Sequence, residues 1–247
     1  MNPVHVVLGA TGGIGRAVAR QLTEAGASVI IAARDSVALD RLAAEIDATP
    51  CLFDGTDLAS VEEALETAVR KYDRLDGVAN CVGSLLLKPA HLTTGPEWDE
   101  VIATHLRSSF AAVRAAAPRM RKQGGSIVLI SSAAARIGLA NHEAIAAAKA
   151  GIEGLAKSAA ATYANAGVRV NVVAPGLVRT KLTERITGTE AAERASLDLH
   201  PLGRLGEADD VARAITWLLD PAQSWVTSQV IGVDGGLGGL KTRPRAR

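Results

Sequence analysis

Val4-His5-Val6-Val7-Leu8, running without a break into Gly9-Ala10-Thr11-Gly12-Gly13-Ile14-Gly15-Arg16, is the stretch that decides the fold. The first five residues read as a buried strand, and residues 13–24 that follow read as a helix. Glycines at 9, 13 and 15 let the backbone turn sharply between the two and approach an anion closely. Amide N–H groups and the positive end of the helix then face a phosphate or pyrophosphate.

The same alternation continues along the chain. Apolar strand-like runs occur at residues 4–8, 28–32, 49–53, 77–80, 126–130, 169–173 and 229–233, and helical patterns at 13–24, 36–45, 60–71, 97–122, 143–166 and 207–219. Continuous apolar strands separated by helices imply parallel strands covered on both faces. The expectation is one α/β domain with a doubly wound sheet of about seven strands. Gly26 and Gly167 mark helix stops. Pro118 is expected to bend or end its helix early.

The chain has 247 residues, 48% of them apolar, and a net charge of +1, which excludes a strongly basic nucleic-acid-binding protein and gives no sign of a membrane partner. No apolar stretch reads as a signal or a span, so the expected location is cytoplasmic. Cys51 and Cys81 sit in apolar runs without ligand-spaced partners, and the five histidines are scattered, so neither disulfide nor metal is expected.

Ala33-Arg34 follows the second strand, where dinucleotide folds that select NAD place an acid against the adenosine ribose. An acid would repel a ribose phosphate. Ala33 does not, and Arg34 and Arg16 supply charge-assisted hydrogen bonds to it, or else only decorate the surface. NADP(H) is therefore expected in preference to NAD(H).

Further along stand Asp54 after the third strand, Asn80-Cys81-Val82-Gly83 after the fourth, Ser131-Ser132 after the fifth, Pro175-Gly176 after the sixth, and Val233-Asp234-Gly235-Gly236 near the end. With the glycine turn, these resemble the short-chain dehydrogenase/reductase family over residues 1–240, although Leu8 stands where the family often has Thr. The resemblance implies a single-domain Rossmann-type fold, with residues 241–247 a loose basic tail. It also implies cofactor contacts at Gly9, Thr11, Gly13, Ile14, Gly15, Arg16, Arg34, Asp54, Asn80, Gly83, Lys149, Pro175, Gly176, Val178 and Thr180.

Members of that family interconvert carbonyl and alcohol using an Asn, a Ser, a Tyr and a Lys. Ser132 and Lys149 match. Four residues before Lys149, where the Tyr should share its helical face, stands Ile145. His105 occupies the Asn position. Asn141 reads as a helix N-cap, which puts His142 and Glu143 in the first turn and His142 on the face of Ile145 and Lys149. A neutral His142 imidazole is then expected to donate to a developing oxyanion, or else simply to bond to the neighbouring loop. His105 either takes a catalytic part or only fills the Asn site.

The expected function is an NADP(H)-dependent reductase of a small carbonyl or imine compound with a non-standard proton donor. The alternative is an NADP(H)-binding protein without redox activity: a pseudoenzyme partner, a sensor, or an isomerase or cyclase that reuses the cleft. Residues 177–204 read as a lid over the substrate. Its Arg179, Lys181 and Arg185 hold an anionic group or are merely solvated, and Leu85, Leu86 and Leu87 are expected to form one wall. Residues 97–122 and 143–166 are expected to expose rows of Ala, and the resemblance implies a homodimer or homotetramer.

Overall fold

A computed structural model describes residues 2–241, so the expected tail lies outside the described residues apart from Lys241. The chain runs β1 (Val4–Leu8), α1 (Gly13–Glu24), β2 (Ser28–Ala33), α2 (Ser36–Ile46), β3 (Thr49–Leu52), α3 (Leu58–Tyr72), β4 (Gly77–Asn80) and α4 (Gly95–Val101). It continues α5 (Ser108–Met120), β5 (Gly125–Ile130), α6 (Glu143–Tyr163), β6 (Val168–Pro175), β7 (Val178–Arg179), α7 (Glu190–Asp198), β8 (Gly206–Glu207), α8 (Ala208–Leu219) and β9 (Val230–Val233). Seven strands form one parallel sheet in the order β3-β2-β1-β4-β5-β6-β9.

Alternation along the strands feeds two cores. Val6, Leu8, Ile30, Ala32, Ile127 and Leu129 pack with α3, α5 and α6 on one face. Val7, Val29, Ile31, Ala33 and Val128 pack with α1, α2 and α8 on the other. Successive strand residues point to opposite faces, so a strand apolar at every position must be covered twice. Pro50, which cannot donate to a ladder, is tolerated because β3 is the sheet edge. Strand order reverses between β1 and β4, leaving a crevice beyond their C-terminal ends.

The helix expected over 97–122 is divided. It starts earlier, at a capping box in which Thr94 and Glu97 satisfy each other's backbone N–H. Residues Ile102–Arg107 then form a π-turn before α5. Beyond it, Ser108 Oγ donates to Thr104 O at 2.6 Å and Ser109 Oγ to His105 O at 2.8 Å, taking up carbonyls of the widened turn. α5 ends two residues after Pro118. Its Ala rows face inward, contrary to expectation: Ala111, Ala112, Ala115, Ala116 and Ala117 are buried. On α6, Ala147, Ala150, Gly154 and Ala161 are exposed. α6 closes in a 3-10 turn, and Gly167 ends it at φ +70°.

Candidate active site

The glycine turn is shaped by contacts that no side chain would allow. Gly9 has φ +77°, and a Cβ there would meet the Cys81 backbone at 2.9 Å; one on Gly15 would lie 2.3 Å from Gly9 O. A Cβ on Gly13 would meet Thr180 Cγ2 at 2.6 Å, so the segment after β7 rests directly on the turn. Gly12 caps α1 without a side chain, and no acid stands in its first turn. The N–H groups of Gly13, Ile14 and Gly15 therefore have no intrahelical partner and are free for a phosphate.

Around the end of β2, Ala33 is buried and Arg34 is exposed, with no hydrogen bond or ion pair among the described residues. Arg16 is instead paired with Glu45 on α2. The nearest acid, Asp35, is occupied in capping α2, accepting from Ala38 N at 3.0 Å. Asp54 Oδ1 accepts from Thr56 N and Oγ1, both at 2.9 Å, which holds its carboxyl below the usual range; Arg34 adds a smaller pull.

Asn80 is buried. Its Nδ2 donates to Ser108 Oγ and Ser109 Oγ, both at 3.2 Å, and its Oδ1 accepts from Val82 N at 3.3 Å. It thus ties β4 to the start of α5 and does not line the cavity on the C-terminal side of the sheet.

That cavity, about 390 Å³, opens beyond the strand ends. Ser132, Lys149, His142 and His105 all line it, with Ile145 among them. So do Ile14, Gly83, Pro175, Gly176, Val178 and Thr180, whereas Gly9, Thr11, Gly13, Gly15, Arg16, Arg34 and Asp54 do not. Leu85 and Leu87 form part of the wall and Leu86 does not; Leu85 and Leu86 both pack on the cluster of Val101, Ala144, Ile145 and Ala148. The lid's charges stay outside: Arg179 pairs with Glu193 and Glu207, Arg185 donates to Leu85 O, and Lys181 is exposed.

Ser132 Oγ accepts from Ala134 N at 3.2 Å, which leaves its hydroxyl proton available. Lys149, 7% exposed, donates from Nζ to Ile130 O at 2.7 Å, and burial pulls its pKa down to about 8. Cys81 beside it is a half-buried thiol raised by desolvation to about 12, so it stays neutral.

His105 is fixed in one tautomer. Ser84 N donates to its Nε2 at 3.3 Å and Ser84 Oγ lies 3.2 Å away, so Nε2 accepts and the proton sits on Nδ1. That Nδ1 is buried and has no partner. Desolvation, helped by the Lys149 charge, holds the ring neutral with a pKa near 2.

His142 departs from expectation. Asn141 takes the left-handed conformation at φ +63° and is not the N-cap; its carbonyl accepts from Lys88 N at 2.8 Å. His142 itself caps α6, without a side-chain capping bond, and the helix begins at Glu143. Its Nδ1 donates to Ala140 O at 2.7 Å. Neutral His142 therefore has only the Nε2 lone pair left, an acceptor, and can give a proton from Nε2 only as imidazolium.

His200 is a cavity residue that the sequence did not signal, because no motif frames it. Buried, it links Ser196 O at 2.7 Å to Leu177 N at 3.1 Å and ties the end of the lid to its start just past β6. Among the described residues no cluster of His, Cys, Asp or Glu is arranged for a metal, and no helix is long and apolar enough to cross a membrane.

Known proteins resemble this chain over nearly its whole length. A family model described as enoyl-(acyl carrier protein) reductase matches residues 9–238. The 3-oxoacyl-(acyl-carrier-protein) reductase of Thermotoga maritima is 37% identical over 242 residues, covering 95% of this chain and 97% of its own. The cis-4-hydroxycyclohexanecarboxylate dehydrogenase of Sinomonas cyclohexanicum is 38% identical over 240 residues, covering 94% and 95%. A solved short-chain type dehydrogenase/reductase from Mycobacterium ulcerans superposes with a TM-score of 0.93 at 32% identity, covering 96% of this chain and 90% of that one.

Proposed function

Because the chain belongs to the short-chain dehydrogenase/reductase family, we propose that it is an NADP(H)-dependent oxidoreductase that reduces a carbonyl or imine with a proton donor other than the family's tyrosine. One observation carries this: a single cavity runs from Ile14 of the glycine turn past Ser132 and Lys149 to Thr180 of the lid.

The residues present fit a nicotinamide dinucleotide. The side-chain-free cradle at Gly9, Gly13 and Gly15 and the uncapped start of α1 suit its pyrophosphate. Thr11, Asp54, Asn80, Gly83, Pro175, Gly176 and Val178 border it by resemblance. When bound, the nicotinamide supplies hydride. Ser132 orients the carbonyl oxygen, and Lys149 holds the ribose. An unpaired Arg34 beside Ala33 favours the phosphorylated cofactor, with Arg16 released from Glu45 as a second partner.

The cavity wall is mostly apolar and the lid's cations are engaged elsewhere or point to solvent, which suits a small uncharged substrate. With residues 1–240 as the cofactor-binding domain, the protein acts in the cytoplasm as a homodimer or homotetramer.

Absorbance of NADPH against ketones, diketones, quinones and imines tests the activity, with oxidation by at least one class expected. Arg34→Ala should weaken NADP(H) binding about tenfold or more while leaving NAD(H) binding little changed, since one charge-assisted contact of about 1.4 kcal/mol is tenfold in affinity. Equal loss for both cofactors would refute the preference.

Ile145 favours a second reading, a cofactor-binding protein without redox activity, because the position that transfers the proton carries a hydrocarbon. Binding of NADPH with no oxidation by any class, and turnover gained by Ile145→Tyr, would establish that reading instead.

A further inference from the structure

We propose that Lys149 is itself the proton donor of the reduction, its Nζ–H serving the substrate oxygen directly because Ile145, one helical turn before it, places no hydroxyl between them. This rests on the reductase reading given above.

Three other N–H and O–H groups of the cavity, on His105, His142 and Ser132, are poorer acids where they stand. His105 carries its proton on an Nδ1 without a partner and accepts at Nε2, and its ring is too desolvated to cycle through an imidazolium. It is a fixed dipole, able to hold an acceptor but not to be an acid. His142 spends its Nδ1 proton on Ala140 O, so a neutral ring offers the cavity only an acceptor. Ser132 carries a hydroxyl that orients but does not ionise in this range. No tyrosine lines the cavity.

Lys149 differs on each count. It is buried, it lines the cavity, and Ile130 O takes only one of its three protons. Its remaining N–H bonds have no partner among the described residues. The titratable groups that face it are Cys81 after β4 and His105 on the π-turn, both neutral at pH 7. Glu153 on the same helix is held by Ser131 Oγ at 2.9 Å. No carboxylate offsets the ammonium, so burial lowers its pKa to about 8 and brings its acidity to the working range, where general acids are most effective.

The step balances. As the carbonyl carbon gains hydride from reduced nicotinamide, the C=O π pair moves to oxygen; the Nζ–H bond breaks, its electron pair stays on nitrogen, and the proton forms the new O–H bond. The neutral amine recovers a proton from water. An uncompensated ammonium stabilises a developing oxyanion and repels a preformed iminium ion, so the substrate class narrows to carbonyls.

Two measurements on the full chain test this. The first is ¹⁵N NMR of lysine Nζ without cofactor, the Lys149 signal assigned by its loss in Lys149→Arg. A titration midpoint near 8 is expected, and one above 10 overturns the proposal whatever the variant does. The second is single-turnover oxidation of NADPH by a carbonyl substrate across pH 6 to 10. The rate should fall on the alkaline side with the NMR midpoint. Lys149→Arg, which keeps the charge but holds its protons, should slow hydride transfer about 10²- to 10⁴-fold at saturating NADPH. An alkaline limb that survives Lys149→Arg, or vanishes in His142→Ala instead, overturns Lys149 as donor and leaves the reductase reading standing. Failure of every carbonyl and imine to oxidise bound NADPH removes that reading and this proposal with it.

Discussion

His5 on β1 and His105 on the π-turn are 3% and 2% exposed, and each has an Nδ1 without a partner. Burial lowers their pKa values from 6.5 to about 4 and about 2, Asp76 opposing the shift at His5. The unfolded chain binds protons at these residues below pH 6.5 and the folded chain does not, so stability falls as pH drops through that value, by about 1.4 kcal/mol per pH unit for each histidine. For His5 the fall ends near pH 4. His105→Asn removes one of the two contributions. Its thermal midpoint should decline about half as steeply as the parent's between pH 6.5 and 4, and an identical decline would refute the assignment. Lys149 has the same sign at the other end of the scale. With its pKa lowered from 10.5 to about 8, the buried ammonium costs stability at every pH below about 8, and the cost disappears as pH rises to 10.5. Lys149→Met should therefore stabilise the cofactor-free protein at pH 7 by roughly 2 kcal/mol, after loss of the bond to Ile130 O, with the gain shrinking above pH 8. Denaturant titrations at pH 7 and pH 10 read both values.

At the scale of elements, the π-turn between α4 and α5 brings His105 to the cavity, and Asn80 on β4 secures it from below through Ser108 and Ser109. Asn80→Ala leaves two buried hydroxyls short of a partner and should cost about 1–3 kcal/mol in a denaturant midpoint. Because those hydroxyls also brace the turn, the ¹H signal of His105 should broaden or shift; a variant of parental stability with an unmoved signal would show Asn80 to be incidental. The inner strands were legible because a sheet covered on both faces demands apolar residues at nearly every position, as β1 and β2 supply, whereas the edge strand β3 is only partly buried. The π-turn was not, since 97–122 has an ordinary helical pattern and the extra residue is held by serine hydroxyls bonding back to carbonyls. Asn141 misled for a related reason: Asn suits both an N-cap and the left-handed conformation, and only the tertiary bond from Lys88 N to its carbonyl decides between them. Ser132 and Lys149 stood out only through the family resemblance; helical spacing added that Ile145, four residues before Lys149, shares its face, and all three line the cavity. The tautomers of His105 and His142, which decide what each can do, depend on Ser84 and Ala140 and have no sequence signal.

Across the whole molecule, α6 carries the site on one side and solvent on the other. Ile145, Ala148, Lys149 and Ile152 are buried, while Ala147, Ala150, Gly154 and Ala161 form an exposed stripe, and Phe110 on α5 is exposed as well. Small residues let a second helix approach closely, and Phe110 adds an apolar side chain that a monomer leaves 47% exposed. If the proposed homodimer or homotetramer forms through this surface, the helix that presents Lys149 is clamped between its own sheet and a partner. Ala150→Glu puts a charge in the middle of the stripe without touching the cavity. Light scattering at micromolar concentration should show the parent at two or four times the mass of one chain and the variant shifted towards one. Far-UV circular dichroism should be unchanged, because position 150 is solvent-facing and Glu is a good helix former. Affinity for NADPH should fall several-fold in the variant, as Lys149 loses the constraint on its helix. A parent that is already monomeric would remove the assembly, and a variant that dissociates with undiminished affinity would separate assembly from the site.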